Sequence, residues 1–480
     1  MVGIKSFGAY IPRLRLSREV IARGWGIPAA PGTIAVANFD EDSLTMAYEA
    51  ATDCMVGFEP EKLGGVFFAS TTSPYVEKSS ATLVATVLDA PQYVYTADFA
   101  TSLRASTTAL GAALDAAAAG KADNIMVTSA ETRVAEPMTN WEQTLGDGAG
   151  AVLVGSGDGV IAEYLGSYSL KDEIYLTWRR GEKDHTLQEF NARMAQTEGY
   201  GKTMAAGIKA ALEKFGLSAG GVARAVYSAP DFRSHGAVAK AVKLDPASQV
   251  QDALFAFVGG TGTAQPLMMM AGALESGLNP GDHILLAHYA DGVDVMLFKV
   301  TEAIKDLPPR RGVQRHLASQ APMDSFATFL RYKGLTRMEP PEYASSTVIL
   351  WREQRQLYSL YGSKCNKCGL VRFPMQIVCS RCKAKDDFTE VRLARRGTLF
   401  NFMNDNLFES MESPTTLSIV DLEGGGRIFL HMTDRDPYAV ELDMEVELTF
   451  RKLFGANEFY TYFWKCRPAK GGMRDDLQLA

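Results

Sequence analysis

Four of the six cysteines in this 480-residue chain fall close together as two CxxC pairs, Cys365 with Cys368 and Cys379 with Cys382, inside the run YGSKCNKCGLVRFPMQIVCSRCKAKDDF. Two tight turns that each present two thiolates can close a tetrahedral shell around a borderline-soft cation, and zinc suits such an all-sulfur set. In a reducing compartment this spacing favours metal over disulfides. Iron, or no metal, is the alternative. A closed four-thiolate shell leaves no position for water, so the role expected of zinc is structural. Cys54 and Cys466 stand apart and read as buried thiols.

With 46% hydrophobic and 22% charged residues, the chain can bury about two or three ordinary cores, which argues against overall disorder. A net charge of -7 gives no global attraction to nucleic acid or to an anionic membrane. The opening MVGIKSFGAYIPRLRLS has no long apolar stretch followed by a small-residue cleavage site, and no later run is apolar for long enough to span a bilayer. The expectation is a cytoplasmic protein handling small molecules, with neither nucleic acid nor membrane as partner.

Up to about residue 300, apolar runs such as GGVFFAS, NIMVTSA and HILLAHYA alternate with small-residue helical stretches, the pattern of an α/β layered domain. The domain contains a duplication. GAALDAAAAGKADNIMVTSAET, from Gly111, resembles AGALESGLNPGDHILLAHYADG, from Ala271, with an Ala-rich helix, a glycine stop, an aspartate before a buried strand and a polar turn. In paired α/β halves, chemistry sits where strand ends and helix starts of both converge, so the loops after these matched strands are the places to search.

A charged, proline-containing stretch over residues 306–343 reads as a connector packed on the first domain, carrying the amphipathic piece DSFATFLRYKGL. A helix and the four-cysteine module follow over 344–396. Five short β-like runs then occupy 397–480: GTLFNFMN, TLSIVDL, RIFLHM, VELTF and FYTYFWKC, which suits a small five-stranded OB-type barrel. Phe400, Phe402, Tyr460, Tyr462 and Phe463 could stack bases. Alternation into the barrel core is the preferred reading, given the acidic run DLEGGG.

Several stretches carry a resemblance: SPYVEKSSAT from Ser73, LGDGAGAVLVG, TWRRG and PGDHILLAHYADG. Through them residues 1–305, and most of the connector, resemble the archaeal-type hydroxymethylglutaryl-CoA synthases of the thiolase superfamily. The segment from about Tyr343 resembles the rubredoxin-like zinc-ribbon and OB-fold proteins that accompany thiolases. The resemblance implies a duplicated thiolase fold, layered αβαβα, followed by the ribbon and barrel. It further implies a CoA thioester as substrate, a homodimer, and a possible thiolase-type protein partner.

In that family a cysteine at a helix N-terminus takes the acyl group, because helix dipole and backbone N–H donors favour a thiolate and stabilise the oxyanion. The place expected for it in ADFATSLRASTTAL falls on Leu103, which has no nucleophile. Ser102 is adjacent but needs a register shift and a base. The family's glutamate position falls on Thr71, its histidine position on Ser228, and the asparagine of its late glycine-rich loop on Gly260. Lys78 and Arg233 match basic positions, either as contacts for CoA phosphates or as ordinary solvated charge.

The loop HYADG supplies His288, Tyr289 and Asp291, an imidazole, a phenol and a carboxylate suited to proton transfer. For His288 a core histidine bonded to backbone is the competing reading. Tyr75 is a further candidate for the pocket, and His235 is held in reserve. Three functions fit: an enzyme making or breaking a carbon–carbon bond in a CoA thioester without an acyl-cysteine; an acyltransferase or thiolysis enzyme using Ser102 or direct attack by CoA; and a non-catalytic scaffold that binds CoA esters for a partner thiolase.

Overall fold

The computed structural model describes residues 1–181, 186–189, 191–336, 345–408, 410–456 and 459–469. The chain divides into two compact units: Met1–Ala37, Asp42–Ala85 and Ala90–Phe329 form one, and Asn38–Glu41, Thr86–Asp89 and Leu330–Ala480 the other.

Nine strands of the first unit share one hydrogen-bonded ladder: β1 (Val2–Tyr10), β2 (Gly65–Ala69), β3 (Tyr95–Phe99), β4 (Ile125–Glu131), β5 (Gly148–Ser156), β6 (Ala162–Lys171), β7 (Arg224–Tyr227), β8 (His283–Tyr289) and β9 (Gly292–Val300). Their order is β7-β8-β9-β6-β1-β5-β4-β2-β3. Strands β2 and β4 are buried along their whole length, as parallel strands covered on both faces must be.

The duplication read from the sequence is visible in the pairing. In the first half β2 runs parallel to β4, which is antiparallel to β5, itself antiparallel to β1. The second half repeats this, with β7 parallel to β8 and then antiparallel steps to β9 and β6. The halves meet through a short antiparallel contact, Gly3 with Glu163 and Ile4 with Ala162. Strand β3 extends the first half as an outer parallel strand, and a single parallel bridge, Ala225 to Val250, marks its counterpart in the second.

Five helices complete the layers: α1 (Ser43–Cys54), α2 (Ala105–Ala118), α3 (Lys202–Lys214), α4 (Phe232–Val242) and α5 (Gln265–Leu274). The matched helices α2 and α5 touch each other between the halves, while α1 packs on β1, β4 and β5 and α3 on β6, β8 and β9. This is the layered αβαβα fold expected. The glycines of LGDGAGAV permit the central contact: a Cβ on Gly150 in β5 would lie 2.6 Å from the backbone nitrogen of Met268, so only glycine lets α5 approach this closely. That approach sets where the start of α5 stands, at the edge of the site.

Within the former connector, Ala321–Met323 pairs in parallel with Leu14–Ser17, and Phe326 meets Trp25 edge-on at 5.2 Å.

In the second unit, β10 (Tyr361–Cys365), β11 (Val371–Arg372) and β12 (Phe388–Arg392) form a small sheet that carries the cysteine turns. Strands β13 (Arg396–Asp405), β14 (Thr415–Leu422), β15 (Arg427–Met432), β16 (Glu445–Ala456) and β17 (Phe459–Pro468) close into a barrel in the order β13-β14-β15-β17-β16. Phe450, Tyr462 and Trp464 are buried in it, with Phe450 stacked on Tyr462 at 5.9 Å. The preference for a core role holds for Tyr462. Phe400 is instead on the surface, with the Arg427 guanidinium 3.5 Å from its ring centroid.

Candidate active site

Strands β7 and β8 are parallel neighbours, and Tyr227 pairs with Ala287. One residue further along each strand stand Ser228 and His288, both buried. The Ser228 hydroxyl and the imidazole Nδ1 of His288 hydrogen-bond to each other. The other ring nitrogen, Nε2, lies 2.7 Å from the carbonyl oxygen of Leu103, at the entry to α2. A carbonyl can only accept, so Nε2 carries the proton and Nδ1 accepts from Ser228. Burial pushes the His288 pKa down to about 4, against the opposing pull of the Leu103 carbonyl and of Asp294. The ring is therefore neutral at physiological pH and available as a proton acceptor.

This pair lines a narrow cleft of about 490 Å³, its opening to solvent included, together with Tyr200, Tyr289, Gln265 and Leu103. The Tyr200 hydroxyl donates to the Ser228 carbonyl at 2.9 Å and its ring meets that of Tyr289 edge-on at 5.6 Å. Burial raises both phenol pKa values, and Asp172, 3.4 Å from the Tyr289 hydroxyl, adds to the rise there. Both remain protonated donors.

A second cavity, about 970 Å³ with its open mouth included, is lined by Thr71, Ser102 and Asp291 among others. The Ser102 hydroxyl donates to Asp291 Oδ2 at 2.8 Å, across the two halves. Asp291 has φ 52° and Thr101, next to Ser102, has φ 72°, both in the left-handed region that non-glycine residues avoid. Backbone strain on both sides of one hydrogen bond is a feature of functional sites. Thr71 is held rigidly: its N–H and hydroxyl donate to the buried carboxylate of Glu131, at 2.6 Å and 3.0 Å, and its carbonyl accepts from Arg179.

The trio His288, Tyr289 and Asp291 is thus split, the first two in the smaller cavity and Asp291 in the larger. Leu103 and Arg133 line both. Gly260 also lines the smaller cavity, and a Cβ there would sit in ordinary contact, 3.6 Å from the Thr144 carbonyl oxygen and 4.0 Å from the Phe255 ring. Lys78 and Arg233 are exposed and line neither cavity; Arg233 is the second residue of α4, just beyond the lining residue Pro230. Tyr75 lines neither and has the Lys78 ammonium 5.8 Å over its ring. His235 is a core residue packed 4.3 Å from Tyr227, its pKa lowered by burial to about 4. Arg133, Tyr200, Gln265 and Arg179 were not singled out from the sequence. Arg179 belongs to TWRRG, and Arg133 to the polar SAETR turn after a matched strand, which was the available signal.

In the second unit the four cysteine sulfurs lie within 4.8 Å of one another, with Cys365 to Cys382 and Cys368 to Cys379 each at 3.6 Å. Tetrahedral zinc–thiolate bonds of about 2.3 Å require sulfurs about 3.8 Å apart, so the set fits zinc. Cys54 and Cys466 are buried elsewhere.

Two comparisons bear on the second unit: residues 352–388 match the ChsH2 rubredoxin-like zinc ribbon domain and residues 390–451 the ChsH2 C-terminal OB-fold domain. For the rest, the hydroxymethylglutaryl-CoA synthase of Thermococcus onnurineus is 30% identical over 318 residues, covering 64% of this chain and 90% of that protein. The chain belongs to the hydroxymethylglutaryl-CoA synthase family. The Methanosarcina mazei member is 29% identical over 349 residues, 70% of this chain and 99% of its own. Among solved structures, a hydroxymethylglutaryl-CoA synthase complexed with CoA superposes with a TM-score of 0.62 at 17% identity, covering 72% of this chain and 95% of that one. The 3-oxoacyl-[acyl-carrier-protein] synthase III of Aquifex aeolicus gives 0.56 at 22%, covering 62% and 100%. Both share the fold of the first unit. Relative to the family members, this chain carries the ribbon and barrel as an addition.

Proposed function

We propose that this protein is an enzyme that makes or breaks a carbon–carbon bond in a CoA thioester without an acyl-cysteine. The observation that carries the reading is His288, held neutral between the Ser228 hydroxyl and the Leu103 carbonyl on the wall of the smaller cavity. The position expected to hold the nucleophile is aliphatic, and the imidazole comes from the strand beside the one expected to supply it.

The chemistry follows from the hydrogen-bond directions. In a retro-aldol step, the β-hydroxyl of the bound thioester gives its proton to Ser228 Oγ as the Ser228 proton passes to His288 Nδ1. The carbonyl forms, the Cα–Cβ bond breaks, and its electron pair moves into the thioester enolate. Tyr289, protonated, is the nearby donor for that negative charge, while Tyr200 donates its proton to the Ser228 carbonyl and positions that strand end. The enolate is then protonated to the shorter acyl-CoA, and the reverse sequence is an aldol addition. Lys78 and Arg233 are assigned to the CoA phosphates, and Thr71 and Gly260 to shaping the space around the acyl chain. Zinc, held by Cys365, Cys368, Cys379 and Cys382, supplies structural cross-linking only. Strand β3 at the sheet edge, with Tyr95 58% exposed, is the assigned contact of a homodimer. A thiolase-type partner and a cytoplasmic setting complete the reading.

The hydrogen bond from Ser102 to Asp291 favours a second reading, an acyltransferase in which Asp291 takes the Ser102 proton as the hydroxyl attacks the thioester. Incubation with a 3-hydroxyacyl-CoA, followed by mass spectrometry of small molecules and intact protein, separates the two. Turnover to a shorter acyl-CoA with an unmodified protein supports the lyase, and an acyl adduct on Ser102 supports the transferase.

A further inference from the structure

The direction in which Ser228 and His288 can pass a proton is decided at one point. A hydroxyl either donates or accepts, so Ser228 accommodates both ring tautomers, whereas the Leu103 carbonyl can only accept and so keeps the proton on Nε2. Whatever holds that carbonyl in place decides whether Nδ1 is a base. Leu103 lies outside regular structure, in the turn between Thr101, with φ 72°, and the first residue of α2, Ala105.

Two carboxylates of the second half fasten this turn. Asp291 accepts from the Ser102 hydroxyl in a bond open to solvent, where water competes for both partners. Asp294 is the stronger anchor. It stands directly opposite His288 across β8 and β9, and opposed residues of an antiparallel pair put their side chains on the same face. Its Oδ2 accepts from the Thr107 hydroxyl, in the first turn of α2, at 2.7 Å. Its Oδ1 accepts from Arg104 at 3.4 Å and from Ser169 of the neighbouring β6 at 2.8 Å. Arg104 also donates to the Leu170 carbonyl of β6 at 3.3 Å. The residue after Leu103 and the first turn of its helix are thus tied to the strand beside His288.

We propose that Asp294 is a positioning residue for this site: by fastening Arg104 and Thr107 it holds the Leu103 carbonyl against His288 Nε2 and so keeps Nδ1 free to act as the base. This rests on the reading of His288 as the base given above. Asp294 lines neither cavity, and the two ring nitrogens are engaged by Ser228 and Leu103, so it acts through the entry to α2 and through its charge. That charge favours the imidazolium formed when Nδ1 takes a proton, as its upward pull on the His288 pKa shows.

The test reads the ring directly. The chain has six histidines, so nitrogen NMR of full-length, deuterated protein labelled in its histidines can assign the His288 signals by their loss in His288→Gln. Wild type at neutral pH should show a protonated Nε2 and a bare Nδ1. Asp294→Ala should convert this to a mixture of both tautomers. It should also lower kcat on a 3-hydroxyacyl-CoA by about 10- to 100-fold, the range seen when a group that orients a functional histidine is removed, with KM within about twofold of wild type because no cavity wall changes. The double variant Arg104→Met with Thr107→Val keeps the carboxylate and cuts its links to α2, and it should give the same mixture. Ser169→Ala, which removes only the bond to β6, should leave tautomer and kcat as in wild type. A pure Nε2–H ring in folded Asp294→Ala overturns the proposal. If that variant does not fold, a pure Nε2–H ring in the double variant overturns it. The expected tautomer changes without any turnover by wild type uphold the clamp and remove the lyase reading, whereas a wild-type ring protonated on Nδ1 overturns both.

Discussion

The imidazole of His288 and the hydroxyl of Ser228 stand side by side on neighbouring parallel strands and hydrogen-bond to each other, with the far side of the ring anchored on the Leu103 carbonyl. Each group fixes the role of the next: the carbonyl sets the tautomer, the tautomer makes Nδ1 an acceptor, and the acceptor orients the serine proton. Removing the ring should therefore cost more than removing the hydroxyl. His288→Ala is expected to lower kcat by about 10²- to 10⁴-fold, and Ser228→Ala by less. The double variant should be no worse than His288→Ala, because the two act as one relay. Steady-state kinetics on the four proteins checks this.

The same burial predicts an acid limit. His288 has a folded pKa of about 4 against an ordinary 6.5, so the folded state favours the neutral ring. The stability contributed by keeping it neutral is present above about pH 6.5 and is lost as pH falls toward 4, where the unfolded chain binds the proton and the folded chain resists it. Across that window the loss is on the order of 3 kcal/mol. Urea denaturation at pH 7.5 and pH 4.5 should show a smaller difference in His288→Gln than in wild type.

At position 103 the cavity can be asked whether it accepts a thioester independently of turnover. Leu103→Cys places a thiol just before α2, where helix dipole and backbone donors favour the thiolate. Incubated with acetyl-CoA, this variant is expected to gain an acetyl mass that wild type does not. Gly260→Asn should fold with a Tm close to wild type, because a Cβ at Gly260 makes only ordinary contacts, none closer than 3.6 Å, and the residue lines the cavity.

Metal content is a separate check on the second unit. About one zinc per chain is expected by elemental analysis. Cys379→Ser should lower metal content and the melting temperature, since a four-thiolate zinc site contributes directly to folding. An excess of a chelator should affect stability without acting at once on the folded first unit's chemistry.

Much of the architecture was legible because it rests on local patterns. The duplicated helix–glycine–strand segments from Gly111 and Ala271 became α2 with β4 and α5 with β8, and five short runs became the five barrel strands. The cysteine spacing was sufficient by itself. The partition of the site was not legible, since which cavity a side chain lines depends on contacts between halves far apart in sequence. Ser102 meets Asp291 across 189 positions, and Leu103 meets His288 across 185. Arg133 escaped notice for a related reason: a single arginine after a strand looks like solvated charge until its burial on the wall of both cavities is known.

The most direct measurement is the product analysis of purified full-length protein with a 3-hydroxyacyl-CoA, run with His288→Ala alongside. The account predicts a shorter acyl-CoA and an equimolar carbonyl product, no acyl mass on the protein at any time, and loss of turnover in the variant. Full activity in His288→Ala, or turnover that passes through an acyl adduct on Ser102, would contradict it.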